Sequence, residues 1–299
     1  MPVAHIALAV LVVAIWGTNF VVIHVGLAQF PPFTFAALRF LLASLPLLWF
    51  VPRPRVSAKI LLAHGLLNGV GQFGLMLYAI AGHISPGLAS LLIQTQAFFT
   101  IGLAVWLAGE RISAGNLAAL ALCAAGVALI AGHIGGGADM LGILLVLGAA
   151  LSWAGCNMIV KRAGAIDMLG LVVWSSLVST LPLFAVALVL EGPAAIGGGI
   201  TGASLAGWAS VLWQSFGNAI FGYAVWNWLL VRHSAAMVAP MGLLVPIFGM
   251  SASALLLAEP MPGWKLWAAV LVLTGLAANL LAARWRARRE IPELCRSTH

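Results

Sequence analysis

Stretches of about twenty apolar residues follow one another along almost the whole chain, and the gaps between them are too short to fold on their own. About twenty residues of helix cross the hydrocarbon of a bilayer. Ten such stretches are legible, over residues 4–26, 34–51, 59–81, 86–108, 114–132, 140–160, 168–190, 205–230, 235–257 and 264–284. The sequence therefore predicts an all-α integral membrane protein with ten transmembrane helices. Composition removes the alternatives. At 63% apolar and 7% charged residues, a soluble domain of 299 residues could not cover its surface. A membrane barrel would show short alternating segments instead. The first stretch has no Lys or Arg ahead of it and no small-residue cleavage site behind it, so it reads as a span and not as a leader. The glycine-rich gap from Glu191 to Ser204 is expected to be a flexible loop, and the basic tail from Arg284 to be irregular.

The formal charge of +7 does not point to nucleic acid, because the basic residues sit singly or in small groups between apolar runs. With ten spans, twelve of the fourteen Lys and Arg fall on one side. These are Arg53, Arg55, Lys59, Arg111, Lys161, Arg162, Arg232, Arg284, Arg286, Arg288, Arg289 and Arg296. Lys265 is alone on the other side and Arg39 lies within a span. Both termini are then expected to be cytoplasmic. Cys123, Cys156 and Cys295 are odd in number and lack metal-ligand spacing, so neither a disulfide nor a metal site is expected. No cofactor is indicated.

The chain also repeats itself. Shifting the window Gly74–Ile130 by 149 residues, without a gap, puts Ser85 on Ser234, Phe99 on Phe248, Glu110 on Glu259 and Gly126 on Gly275. Gly17-Thr18-Asn19 likewise resembles Gly155-Cys156-Asn157, and Ser44-Leu45-Pro46 resembles Thr180-Leu181-Pro182. The expected organisation is a first five-helix unit over 1–133, a second over 134–285 and a tail over 286–299. Five is odd, so the second unit enters the membrane upside down, with Glu110 and Glu259 at opposite faces. Inverted repeats of this kind build transporters with a midplane site between the halves.

These features together resemble the ten-helix drug/metabolite transporters of the EamA type. The residues that carry the resemblance are Ile15-Trp16-Gly17-Thr18-Asn19-Phe20, Leu38-Arg39-Phe40, Gly109-Glu110, Ala258-Glu259-Pro260, Gly126 and Gly275. It covers the chain up to the tail. It implies a bacterial inner-membrane exporter of amino acids, neutral or aromatic ones foremost, and related metabolites. Other members of the superfamily exchange nucleotide sugars or sugar phosphates, or export drugs. The chain departs from the family at Ala97, where a proline is usual, although the counterpart Pro246 is kept.

A polar side chain in a span must face the bundle interior or a cavity. Helical spacing groups Trp16 with Asn19, Trp153 with Asn157, and Tyr223 with Trp226 and Asn227. The 149-residue shift carries the last set onto Gly74, Leu77 and Tyr78. Gln94, with Ser90 on the same face, adds further polar groups. Such aromatic and amide walls suit a neutral or zwitterionic solute. The competing reading is that these amides, like the Gly65 and Gly69 pair, tie helices together. Arg39 either attracts a substrate carboxylate or snorkels and staples helix ends. Mid-span acids are absent, which disfavours a cation/proton antiporter, and a phosphate carrier would need more buried cations than Arg39. No H-E-x-x-H, paired aspartates or Ser–His pair stands at membrane depth, so no enzyme is expected. One chain suffices to form the cavity, and a homodimer is left open. Pro46, Pro182, Pro240 and Pro246 are expected to kink their helices, and Ser85-Pro86 to start one with Ser85 as its cap.

Overall fold

The computed structural model describes residues 1–109, 112–164 and 166–296, the residues 283–296 by backbone alone. Glu110 lies outside them. The apolar stretches form helices because only a helix pairs its own backbone groups away from water. In chain order these are α1 (Val3–Leu27), α2 (Pro32–Ser44), α3 (Ala58–Gly82), α4 (Pro86–Leu107), α5 (Ala114–Ala131), α6 (Met140–Ala163), α7 (Met168–Leu190), α8 (Gly192–Gly202), α9 (Leu205–Arg232), α10 (Ala239–Leu256) and α11 (Gly263–Arg296). The chain is a multi-pass helical membrane protein.

The expected count of ten full spans is not reproduced. Among the described residues eight helices are long and apolar enough to cross a bilayer, and nine if α8 and α9, bent by 100° at their break, count as one. The tenth, α2, has 13 residues, about 20 Å of helix. It ends at Ser44, two residues before Pro46, which has no N–H to extend the helical ladder, although Leu45 itself keeps helical φ and ψ. Pro182, by contrast, leaves α7 continuous.

Two further expectations are corrected. The glycine-rich gap holds the surface helix α8. Gly192 takes a left-handed φ of 82°, Pro193 occupies the first turn, and the preceding Glu191 carboxylate is pinned. It accepts bonds from the Phe33 and Thr34 N–H groups and the Thr34 hydroxyl, capping α2. The tail is also helical, since α11 continues to Arg296 through alanines and arginines that favour helix.

The two halves share their irregularities. A wide π turn occupies Leu67–Gly74 in α3 and Trp213–Phe221 in α9, and a tight 3-10 turn occupies Ile93–Thr95 in α4 and Ala239–Leu243 at the start of α10. The turn in α4 forms although Ala97 replaces the usual proline. Packing follows the same pairing. α1 lies on α10 as α6 lies on α4, while α2 packs on α7, α4 on α10 and α5 on α11. Gly126 and Gly275, matched by the repeat, both serve this last contact. A Cβ on Gly126 would strike Val272 and the Ala268 carbonyl, and one on Gly275 would strike the Ala119 carbonyl. Gly65 and Gly69 abut α7, where the Ser179 hydroxyl donates to the Gly65 carbonyl at 2.8 Å.

Candidate functional site

Between the halves lies a cavity of about 480 Å3. Its walls come from α1, α3, α4, α6, α9, α10 and α11, with Met168 at the start of α7. It runs from mid-bundle, at Phe20, Phe73 and Met76, toward the end marked by Met168, Leu230 and Leu280. That is the end where Lys161, Arg162 and Arg232 lie. Eight of the ten residues chosen from sequence line it: Trp16, Asn19, Gln94, Trp153, Asn157, Tyr223, Trp226 and Asn227. No lining side chain is charged.

One wall is aromatic. The Trp16 ring centroid is 5.6 Å from Tyr223 and 5.2 Å from Trp226, and the indole N–H donates to the Asn218 carbonyl at 3.2 Å. Helix geometry delivers this wall, because residues three and four apart stack on one face. The amides divide into two groups. Asn19 and Gln214 are bonded reciprocally, with Gln214 donating at 2.8 Å and Asn19 at 3.5 Å. Asn157 donates to Gln96 at 2.9 Å and to Thr100 at 3.2 Å. Gln72, Gln94 and Asn227 line the cavity with amides that make no hydrogen bond among the described residues. Asn19 and Asn157 thus join helices as well as facing the cavity. Replacing Asn19 with alanine strands the fully buried Gln214 amide and should lower stability by about 1–3 kcal/mol. Asn19→Leu with Gln214→Leu should recover most of that loss, read as the unfolding midpoint in detergent. Recovery of nothing would refute the reciprocal bond as the source.

Sequence reasoning missed Gln72, Gln96, Asn218 and Asn279, which also line the cavity. The signal was available, as each is an amide inside a span. Gln94 and Gln96 are two apart, about 160° on a regular helix. The 3-10 turn over Ile93–Thr95 winds three residues per turn and narrows this to about 120°, so both reach the cavity.

Two chosen residues do not line it. Tyr78 is 38% exposed and packs on Phe33 and His83, with ring centroids 5.7 and 5.5 Å away. Inverted repeats place equivalent residues at opposite depths, and the cavity reaches only one end. It therefore includes Tyr223, Trp226 and Asn227 and excludes Gly74, Leu77 and Tyr78. Arg39 is 1% exposed and lies behind Phe73, its guanidinium carbon 3.7 Å from that ring's centroid. The snorkelling alternative is thereby removed. The Ser90 hydroxyl donates within its own helix to the Gly87 carbonyl.

At the opposite end of the bundle the start of α4 is tied to the end of α10. The Glu259 carboxylate accepts from the Ser85 hydroxyl at 2.5 Å, the Gly87 N–H at 3.0 Å and the Lys265 ammonium at 2.8 Å. Glu259 and Lys265 side chains are only 7% and 2% exposed. Lys265, expected as a solitary external charge, is a buried ion-pair partner. α4 does start at Pro86, but its cap is Glu259; the Ser85 side chain caps nothing. Beside this cluster, His83 Nδ1 lies 2.8 Å from Asp139. That bond, with the Gly142 N–H, holds the Asp139 carboxyl below the usual carboxylate range.

A bundle of apolar, membrane-length helices around a cavity with no charged lining side chain fits a membrane transporter. The chain belongs to the EamA-like transporter family, which it matches over residues 4–132 and again over 140–281. It is 41% identical to a probable amino-acid metabolite efflux pump of Escherichia coli over 93% of this chain and 95% of that protein. It is 27% identical to a probable terminal-alkyne amino-acid exporter of Streptantibioticus cattleyicolor over 89% and 90%. A solved crystal structure shares the fold at 17% identity and a TM-score of 0.61, covering 94% of this chain and 98% of that one.

Proposed function

We propose that the protein exports amino acids with neutral or aromatic side chains, and related metabolites, across a bacterial inner membrane by alternating access. The observation that carries this reading is the cavity itself. It is aromatic and amide-walled, lies between inverted halves and reaches one end of the bundle, while the Glu259 cluster ties helices together at the other. With both termini and the basic loops in the cytoplasm, this is the cytoplasm-facing state, ready to load. In the opposite state Tyr78 and Leu77 would take the places that Asn227 and Trp226 hold here. The names of the relatives support amino-acid derivatives as cargo. A lining without cations is poorly suited to phosphate esters, and one without carboxylates is poorly suited to organic cations.

Purified full-length protein in proteoliposomes should release preloaded labelled phenylalanine, leucine or tryptophan about tenfold or more faster than empty vesicles, a difference of about 1.4 kcal/mol in barrier. Release equal to that of empty vesicles across the panel would remove the reading.

A further inference from the structure

We propose that Arg39 is the carboxylate-recognising residue of the central cavity, screened in this state by Phe73, whose ring moves aside when a carboxylate-bearing solute binds. This deepens the transport reading above and rests on it.

Arg39 is buried without the partners a buried cation requires. Its Nε and Nη1 have no hydrogen-bond partner among the described residues. The Ser215 hydroxyl reaches this residue across a helix interface, but it donates to the Arg39 backbone carbonyl at 2.9 Å and not to the guanidinium. The charge rests instead on two rings, 3.7 Å from the Phe73 centroid and 4.7 Å from that of Phe40. Stacking on rings replaces only part of the lost hydration of a guanidinium. The arrangement is therefore stable yet unsaturated, with fork donors free to take a carboxylate in bidentate fashion.

Position connects this cation to the site. Phe73 is part of the cavity wall, so a single ring separates the guanidinium from the solute space. Phe73 belongs to the π turn Leu67–Gly74, which includes Gly69, Gly71 and Gly74. Wide turns of this kind are tolerated strain, often found where function needs a shift. The lining supplies no other cation for a carboxylate, whereas the faces of Trp16, Tyr223 and Trp226 can receive an ammonium. The class that fits is an α-amino carboxylate with an apolar side chain. An amine whose carboxylate is masked as an amide is a bare cation, which Arg39 repels.

The test uses full-length protein in proteoliposomes, with labelled phenylalanine flux challenged by unlabelled phenylalanine or phenylalaninamide. In the unmodified protein the amide should compete about 20-fold or more weakly than the acid. In Arg39→Gln acid flux should fall about tenfold or more, and the acid-over-amide preference should drop below about threefold, with Arg39→Lys intermediate. Phe73→Ala keeps the cation but removes its screen, so the acid should compete about threefold more strongly while the amide does not change. That variant decides the matter if Arg39→Gln does not elute as a folded species. Undiminished preference in Arg39→Gln, or equal shifts for acid and amide in Phe73→Ala, overturns the assignment of Arg39 and leaves the transport reading intact. Absence of any flux by the unmodified protein overturns both.

Discussion

Glu259→Gln should lower stability by about 3–5 kcal/mol, because it strands the Lys265 ammonium in a buried site. The Ser85 hydroxyl and the Gly87 N–H bond different carboxylate oxygens; the glutamine keeps one oxygen for the Gly87 N–H and its NH2 can donate to the Ser85 hydroxyl, so the lost charge is the main change. Lys265 has little alternative; its ammonium lies 5.7 Å from the Trp264 centroid, a weak contact by comparison. The double change Glu259→Gln with Lys265→Met should return much of the loss, since an apolar side chain needs no counter-charge. Unfolding midpoints in detergent read both effects. A second readout separates a gate from a mere staple. Glu259 follows α10 and caps α4, so it joins the two halves at the end away from the cavity mouth. Weakening it should favour the state in which that end opens. Leu77 is fully buried now and belongs to the half of the bundle that would then line the cavity. With the three native cysteines replaced by serine, Leu77→Cys should label with a membrane-impermeant maleimide faster when Glu259→Gln is present. Equal labelling would leave Glu259 a stabilising contact with no part in access.

The sequence carried the arrangement of the bundle further than its details, and the reason is physical. Hydropathy, charge placement and matched letters are properties of whole helices, and a membrane fixes helices as units. Trp16, Asn19, Tyr223, Trp226 and Asn227 were legible because their spacing matches 3.6 residues per turn and lipid forbids them an outward face. Gln96 was legible as an amide within a span but not as a neighbour of Gln94 on one wall, because a local 3-10 turn changes the phase. Tyr78 was misplaced because the 149-residue repeat matches positions along the chain, whereas the cavity is lined by Tyr223, Trp226 and Asn227 and not by their counterparts Gly74, Leu77 and Tyr78. The short α2 and the helical α8 turned on Pro46, Gly192 and the Glu191 carboxylate, each a single-residue effect invisible to a hydropathy window. Glu259 stood out as a matched letter, but its partners Ser85, Gly87 and Lys265 come together only through packing.

The aromatic wall should prove the most sensitive part of the cavity. Trp16→Ala removes a ring that touches Tyr223 and Trp226, abuts Gly222 and donates to the Asn218 carbonyl. Truncating a large aromatic side chain costs about 3–5 kcal/mol where it is fully packed. Trp16 borders open space, so part of its contact area faces the cavity, and the loss should fall at or below the lower end of that range. Flux should fall by more than stability accounts for, about tenfold or more per folded molecule, if the ring that lines the cavity also receives the solute on its face. Trp16→Phe tests this division. It keeps a ring but not the indole N–H, so the Asn218 carbonyl loses a partner at about 1 kcal/mol while the aromatic surface is largely retained. Its flux should stay within about threefold of the unmodified protein for phenylalanine, and fall further for a solute that needs the larger indole face. Equal flux loss in Trp16→Phe and Trp16→Ala would tie the residue to helix packing through its hydrogen bond. A loss confined to Trp16→Ala places the ring in contact with what the cavity carries.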